Sequence, residues 1–325
     1  MRAYQVSAFS QAPEINDIKP PLPAKGEVLI DIEACGLNFA DLLMAKGTYQ
    51  DTPEPPFTLG MEVCGTIKAH GEAVDAPSIG TRVAVFGGAG GLAQQGVFDA
   101  ALCCPIPDAM PSHIAAGFIV AYGTSHLALA DRAKLKAGET LLVTGAAGGV
   151  GLTAVEIGKA MGATVIAVAR GPEKLAIAKA AGADHLIDST SQDLTEEVKA
   201  LGGADVVYDP VGGDTFRAAM RACNRCARMV VIGFAAGTTQ QIPANIILVK
   251  NIDVIGFYWG GYLKFNSNAV MNSLKTLFQW YESGRVKPHI SHCLPLTQAS
   301  AGLKLLESRK ATGKVVITMG NESRI

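Results

Sequence analysis

The chain has 325 residues, with 28 basic and 29 acidic side chains and a formal net charge of −1. This balance gives no electrostatic support for binding to nucleic acid or to an anionic membrane, and no apolar run reaches the roughly 18 residues of a membrane span. The length exceeds that of a typical single core, so we expect two domains. The partner that these properties favour is a small molecule.

The N-terminal sequence MRAYQVSAFSQAPE lacks the apolar core and the cleavage site of a secretory signal, which favours a cytoplasmic location. Seven cysteines without a framework spacing are typical of free, buried thiols in a reducing compartment. Cys223 and Cys226 form one C-x-x-C. Because no second pair accompanies it, this motif is a weak indication of a zinc or redox site.

The pattern of apolar segments changes along the chain. In the first third, short apolar segments separated by turns predict strands and a β-rich domain: MRAYQVSAF, GEVLIDIEACGL, EVCGTIKAH, TRVAVF and FDAALCCPI. From about Leu127, apolar segments alternate with Ala-rich helical ones: TLLVTGA, GLTAVEIGKAMG, TVIAVAR, PEKLAIAKAAG, HLIDS, ADVVYDPV, FRAAMRAC and RMVVIGFA. This alternation predicts an α/β domain with a doubly wound parallel sheet. The C-terminal part predicts helices and one terminal strand that returns to the first domain.

The stretch LLVTGAAGGVGLTAVEIGKAMGATVIAVAR, residues 141–170, predicts a strand, a tight turn of small residues, a helix and a second strand. This order is the Rossmann context for dinucleotide binding. Gly148, Gly149 and Gly151 let the backbone approach a pyrophosphate, which the N–H groups and dipole of the following helix stabilise. Ala146 replaces the first glycine of the fingerprint.

Arg170 ends the second strand of this motif, where an NAD-specific site needs a carboxylate for the ribose 2′-OH. A carboxylate would repel a 2′-phosphate. Arg170 and Lys174, one helical turn on, can instead donate charge-assisted hydrogen bonds to it. The sequence therefore predicts NADPH as the cofactor.

The chain as a whole resembles the medium-chain dehydrogenase/reductase superfamily and, within it, the zinc-less quinone oxidoreductases. The segments that carry the resemblance include CGLNFADLLMAKGTY, LGMEVCG, AAGFIVAYGTSHLAL, EKLAIAKAAGADHLID, VVYDPVGGDTF and GKVVIT. The resemblance implies a GroES-like catalytic domain over residues 1–126, a Rossmann NADPH-binding domain over 127–261, and a return to the catalytic domain over 262–325.

The same resemblance indicates whether the chain binds zinc. Zinc-binding relatives place cysteine, histidine and cysteine where this chain has Asn38, Met61 and Ala116, and their four-cysteine structural lobe is missing. A catalytic zinc needs about three protein ligands. We therefore expect no metal site, and hydride transfer from NADPH to an acceptor that is already electrophilic.

Candidate site residues follow from the resemblance. Asn38 and Tyr49 match positions that face the nicotinamide and the substrate. Asn38 offers a donor and an acceptor, and Tyr49 is either a proton donor or a packing residue. Asp41 is interpreted as an orienting residue and Glu62 as part of the floor of the site.

On the cofactor side, the residues that match the family's dinucleotide contacts are Thr124, Gly148, Gly149, Val150, Arg170, Lys174, Gly212, Phe234 and Tyr258. Many quinone oxidoreductases carry a tyrosine after the segment GADHLI to cover the adenosine phosphate. This chain has Asp188 and Ser189 there. Tyr258 and Trp259 are expected to roof the cleft or to serve only as packing.

The activity that these residues favour is NADPH-dependent reduction of a quinone. NADPH-dependent reduction of an enoyl thioester or enone, with Tyr49 as the acid, is the alternative, and a crystallin-like or RNA-binding role that retains NADPH is a further one of a different class. The near-neutral charge does not support RNA binding. The apolar strands RMVVIGFA and NIDVIGFYW close the Rossmann sheet, so a homodimer that pairs its edge is expected.

Overall fold

The structure, a computed structural model, describes residues 1–320. The strands are β1 (Arg2–Val6), β2 (Glu14–Asp17), β3 (Glu27–Gly36), β4 (Phe57–Thr58), β5 (Glu62–His70), β6 (Arg82–Phe86), β7 (Gln95–Asp99), β8 (Cys104–Pro105), β9 (Thr140–Val143), β10 (Thr164–Ala169), β11 (His185–Asp188), β12 (Ala204–Asp209), β13 (Cys223–Val231), β14 (Asp253–Gly256), β15 (Ile290–Pro295) and β16 (Lys314–Thr318). The α-helices are α1 (Phe39–Ala45), α2 (Ser112–Ala116), α3 (Ile119–His126), α4 (Gly149–Ala160), α5 (Pro172–Ala180), α6 (Leu194–Ala200), α7 (Gly213–Ala222), α8 (Ala244–Lys250), α9 (Trp259–Phe265), α10 (Ser267–Glu282) and α11 (Ala299–Glu307).

The chain divides into two compact units. The β-rich unit comprises Met1–Val120 and the chain from Pro288 onward, and the parallel-sheet unit comprises Ala121–Lys287. One unit is dominated by strands and the other alternates strands with helices. The α/β fold class is therefore confirmed, with a GroES-like β domain and a Rossmann domain.

The parallel-sheet unit holds six strands in the order β11-β10-β9-β12-β13-β14. All neighbouring pairs of this sheet run parallel. Numbered from its own first strand, the order is 3-2-1-4-5-6, which is the doubly wound Rossmann arrangement. The central strands are apolar along their whole length because both faces of the sheet are covered, as β10 shows with five consecutive buried residues. The order of strands reverses between β9 and β12, which is where such sheets bind ligands.

The β-rich unit contains a seven-stranded sheet with the path β15-β16-β3-β5-β6-β8, to which β7 is added along β3, and a three-stranded sheet β2-β1-β4. Alternate residues of β3, β5 and β6 are buried in one apolar core, including Ile30, Ile32, Val63 and Val85. The terminal strand β16 pairs antiparallel with β3. The last strand of the described chain thus lies in the sheet of the β-rich unit.

The domain boundaries differ from the sequence prediction. The structure divides the chain at residues 120/121 and 287/288 instead of 126/127 and 261/262, because most of α3 and all of α10 belong to the parallel-sheet unit. There Ser273 Oγ lies 2.8 Å from His126 Nδ1, and the His126 and Trp280 rings meet edge to face.

The predicted strand FDAALCCPI is wrong in its middle, because Asp99 accepts a hydrogen bond from Ala101 N–H and starts a 3₁₀ turn between β7 and β8. The prediction of a single terminal strand is also wrong, since β15 pairs parallel with β16. Both errors concern short elements whose pairing depends on distant strands.

All seven cysteines are free thiols, and five of them are buried. Cys226 and Cys293 are exposed, contrary to the expectation of burial. Cys226 adopts a left-handed backbone conformation with φ of 61°. Among the helices of residues 1–320, none has the length and apolarity that crossing a membrane requires.

The edge strand β14 is relevant to the expected homodimer. Its outer side carries backbone groups that have no partner strand in the six-stranded order, and an open edge of this kind favours pairing with another chain. The homodimer remains a prediction: light scattering at micromolar concentration should give twice the 33.8 kDa of one chain. A mass of 33.8 kDa at that concentration would contradict it.

Candidate active site and cofactor site

A buried ion pair lies at the start of two strands of the β-rich unit. Glu62 begins β5 and Lys314 begins β16, and these two strands flank β3. The Lys314 ammonium contacts Glu62 Oε1, with side-chain exposures of 6% and 0%. Glu62 Oε2 also accepts a hydrogen bond from the Val120 N–H at 3.0 Å. The partner charge and these hydrogen bonds offset the cost of burying the carboxylate.

The Asn38 carboxamide lies between the two charges, just after β3. Its Oδ1 accepts a hydrogen bond from Lys314 Nζ at 2.8 Å, and its Nδ2 donates to Glu62 Oε1 at 3.0 Å. Because an ammonium only donates and a carboxylate only accepts, these neighbours fix which amide atom faces which side. Asn38 itself is partly exposed, whereas Glu62 and Lys314 are buried.

The hydrogen-bond donors of this cluster are engaged within it. Lys314 Nζ donates to Leu37 O at 2.9 Å, to Asn38 Oδ1 and to Glu62 Oε1, which uses its three N–H groups. The second N–H of Asn38 Nδ2 faces Gly36 O at 3.4 Å. From residue type alone Asn38 offers a donor and an acceptor. In the structure, Oδ1 accepts from Lys314 Nζ, and the Asn38 side chain also faces the Asp41 N–H in the capping box of α1.

Helix α1 supports Asn38. Asp41 is fully buried, and its Oδ2 accepts a hydrogen bond from the Asn38 N–H at 2.7 Å. Burial raises the pKa of Asp41 to about 7. Tyr49 follows the helix, half-buried and packed against the apolar core of the β-rich unit. Its carbonyl accepts a hydrogen bond from the Thr52 hydroxyl at 2.6 Å.

The positions of the relatives' zinc ligands do not fit a zinc ion here. Asn38 is engaged by Lys314 and Glu62, while Met61 and Ala116 are buried at 3% and 0% exposure. The Lys314 ammonium already places a positive charge in the cluster, and it would repel a metal cation. Within residues 1–320, no group of three or more His, Cys, Asp or Glu side chains is arranged to hold a metal. An alanine, a buried methionine and an amide engaged by its neighbours are therefore what this chain has at these three positions.

In the parallel-sheet unit, the turn after β9 is built on close backbone contact. A Cβ atom on Gly151 would lie 2.2 Å from Gly145 O, so only glycine fits. Gly148 caps α4, and Gly149 and Val150 form its first turn. The first N–H groups of a helix lack acceptors within the helix. This turn can therefore hold the charged oxygens of a pyrophosphate.

Buried hydroxyls connect this turn to Thr124, which is 7% exposed on α3. The neighbouring Ser125 Oγ donates to Val150 O at 2.9 Å and lies 2.8 Å from Thr153 Oγ1 and 2.9 Å from Tyr208 OH. The network ties α3, α4 and β12 together. It thereby holds Thr124 and Val150 in a fixed relation, which no sequence motif indicated.

Gly212 lies in the turn after β12, with φ of +78°, and its N–H donates to the buried Asp209 Oδ2 at 2.9 Å. Gln240 packs against this turn, since a Cβ on Gly212 would lie 2.7 Å from Gln240 Oε1. In the part of the chain that the structure describes, both polar atoms of the Gln240 side chain are buried without a hydrogen-bond partner. Such a group is costly, and a polar ligand at the turn would satisfy it.

The remaining predicted cofactor residues lie at the same edge of the sheet. Arg170 follows β10 and is exposed, and Lys174 lies in the first turn of α5. Phe234, 45% exposed, follows β13, and Tyr258, 38% exposed, follows β14 and caps α9. The structure thus brings these four residues, the glycine turn and Gly212 to the carboxyl ends of the strands, where doubly wound sheets bind dinucleotides, whereas Thr124 lies on α3.

The chain is similar to known proteins in sequence and in fold. The family model described as "Alcohol dehydrogenase GroES-like domain" matches residues 24–108, and that described as "Zinc-binding dehydrogenase" matches residues 149–278. Quinone oxidoreductase-like protein 2 of Bos taurus is 37% identical over 309 residues, which cover 94% of this chain and 88% of that protein. The chain belongs to the quinone oxidoreductase family of medium-chain dehydrogenases/reductases. The resemblance of the sequence to this family is confirmed.

Solved members of the quinone oxidoreductase family have the same fold. The Escherichia coli quinone oxidoreductase complexed with NADPH superposes with a TM-score of 0.92 at 26% identity, covering 98% of this chain and 100% of that one. The quinone oxidoreductase of Thermus thermophilus, also studied as its NADPH complex, gives 0.86 at 32% identity, with coverage of 98% and 100%.

Proposed function

We propose that this chain transfers a hydride from NADPH to a small quinone without a metal. The cofactor assignment is supported by the solved relatives that carry NADPH and by the glycine turn, which a single Cβ would obstruct. The N–H groups of Gly149 and Val150 would hold the pyrophosphate, and Arg170 with Lys174 would hold the 2′-phosphate. Thr124 and Gln240 would contact the nicotinamide half.

When bound, NADPH supplies the hydride, and the protein has to align it and exclude water. Asn38 would contribute through its partly exposed carboxamide, which would line the place of the nicotinamide or the acceptor. Lys314 and Glu62 hold this carboxamide in one orientation. Since the orientation is fixed before a ligand binds, no reorganisation of Asn38 is needed during the reaction.

One observation carries the choice of acceptor: the donors of the Asn38 cluster are used within the cluster. Reduction of an enoyl thioester produces an enolate, which needs a donor for its oxygen and an acid for its carbon. A reduced quinone is a more stable anion that can take its proton from water. The engaged donors of this cluster therefore support the proposal of quinone reduction over enoyl thioester reduction.

The acceptor is tested by assaying NADPH oxidation with a benzoquinone and with a crotonyl thioester, in the unaltered protein and in Tyr49→Phe. We expect turnover of the quinone, with little change in Tyr49→Phe, because the proton of the hydroquinone does not have to come from the phenol. Were Tyr49 the acid of an enoyl reductase, its loss would lower turnover by about 10²–10⁴-fold.

The control for metal is the same assay in the presence of a chelator, together with elemental analysis of the purified protein. We expect full activity and no stoichiometric zinc. Turnover of only the thioester, abolished in Tyr49→Phe, would replace the proposed function with enoyl thioester reduction. One zinc per chain, with activity lost to the chelator, would contradict the metal-free proposal.

A further inference from the structure

Asp188 lies beside Arg170 at the carboxyl edge of the parallel sheet. In the parallel pairing of β10 with β11, Asp188 is the register partner of Ala169, the residue before Arg170. Asp188 Oδ1 also accepts a hydrogen bond at 3.1 Å from the N–H of Gly171, the residue after Arg170. The carboxylate is therefore held next to the backbone that carries Arg170.

The charge of Asp188 is maintained by its local contacts. Oδ1 accepts hydrogen bonds from the Thr190 N–H at 2.9 Å and the Thr190 hydroxyl at 2.7 Å, in addition to that from Gly171. The hydrogen bonds from Thr190, followed by that from Gly171, hold the pKa of Asp188 below its usual range. Asp188 is consequently a fixed negative charge at neutral pH.

We propose that Asp188 is a specificity-determining residue, whose carboxylate repels the 2′-phosphate and limits the preference for NADPH that Arg170 creates. This inference rests on the proposed NADPH function. A 2′-phosphate carries about −1.5 to −2 charges at neutral pH, by analogy with other phosphate monoesters. Arg170 attracts it and Asp188 repels it, whereas the ribose hydroxyl of NADH carries no charge for Asp188 to repel. Arg170 therefore increases the preference for NADPH over NADH, and Asp188 decreases it.

The arrangement allows the charge to be removed without loss of the local structure. All three described hydrogen bonds to the Asp188 carboxylate are made by Oδ1. In Asp188→Asn the amide oxygen can keep these bonds, and the NH₂ group replaces Oδ2. A change in cofactor preference in Asp188→Asn would then result from the loss of the negative charge and not from a change in the local backbone structure.

The experiment measures dissociation constants at low ionic strength for NADPH, NADH, 2′,5′-ADP and 5′-AMP. In Asp188→Asn we expect about three- to tenfold tighter binding of NADPH and 2′,5′-ADP, with NADH and 5′-AMP unchanged. The gain should shrink at high salt, because this repulsion is exposed to solvent. Asp253→Asn, which removes an exposed charge from the start of β14, is the matched control and should leave all four constants unchanged.

The same gain is expected when Asp188→Asn is introduced into Arg170→Ala, because the repulsion acts directly on the phosphate. Disappearance of the gain there would overturn direct repulsion, since Asp188 would then act through Arg170. Unchanged NADPH binding in Asp188→Asn, or a loss of NADH affinity alone, would also overturn the inference while leaving the proposed function intact. Failure of the unaltered protein to bind NADPH or 2′,5′-ADP would overturn both.

Discussion

Lys314→Met is expected to lower the free energy of unfolding by about 3–5 kcal/mol, because it leaves the Glu62 carboxylate buried without its cation. The methionine fills a similar volume, so the effect reports charge more than packing. Denaturant unfolding followed by two independent probes would measure it. We also expect lower turnover, since Asn38 loses the ammonium that holds its Oδ1.

The matched control is Lys46→Met, which removes the lysine of the Lys46–Glu307 pair at 3.0 Å, where the side chains are 63% and 57% exposed. That change should cost no more than about 1 kcal/mol. Adding Glu62→Gln to Lys314→Met should restore part of the lost stability by removing the unpaired charge. Equal losses in Lys314→Met and Lys46→Met would show that the buried pair contributes no more than a surface pair.

Arg170→Ala is expected to raise the Kd for NADPH about ten- to a hundredfold and to leave the Kd for NADH almost unchanged. One charge-assisted hydrogen bond is worth about 1.5–3 kcal/mol, and NADH lacks the phosphate that would receive it. Fluorescence titration of both cofactors measures the two constants.

The control for Arg170→Ala is Arg221→Ala, an exposed arginine in the last turn of α7. It changes the net charge equally but lies at the other end of its helix from the Gly212 turn, so neither constant should move. Equal loss of NADPH and NADH affinity in Arg170→Ala would mean that this side chain supports the fold of the site and does not recognise the 2′-phosphate.

The alternation of apolar and helical segments predicted the parallel-sheet unit, because the structure of that unit is determined by short stretches of sequence. Apolar runs such as β10 and the glycine turn before α4 determine the structure within about thirty residues, and the order of strands follows from the chirality of β-α-β connections. The β-rich unit was less predictable. Cys104–Pro105 and Ile290–Pro295 form strands because they pair with β6 and β16, which are distant in sequence. The intrinsic propensity of a short segment does not predict such pairing.

The residues of the candidate site likewise divide into those that local motifs indicate and those whose role depends on distant parts of the chain. Asn38, Glu62 and the glycine turn could be selected from motifs, but nothing near Lys314 distinguishes it from a surface lysine that precedes an apolar strand. Its role depends on β16 lying beside β3, which brings it to Glu62 across 252 residues. The available signal was a pair of opposite charges, Glu62 and Lys314, each followed directly by buried residues of its strand. Gln240 lies in an irregular segment and gave no signal.

The β-rich unit is assembled from two separate stretches of the chain, whereas the parallel-sheet unit is one continuous stretch. On the ribosome, synthesis therefore delivers every strand of the parallel sheet before it delivers Lys314. Until β16 emerges, Glu62 and Asn38 lack the ammonium that contacts them, and residues 34–36 of β3 lack the strand that pairs with them. The order of synthesis thus makes the parallel-sheet unit the first to be complete, and the addition of β16 to the seven-stranded sheet is the step that brings Lys314 to Asn38 and Glu62.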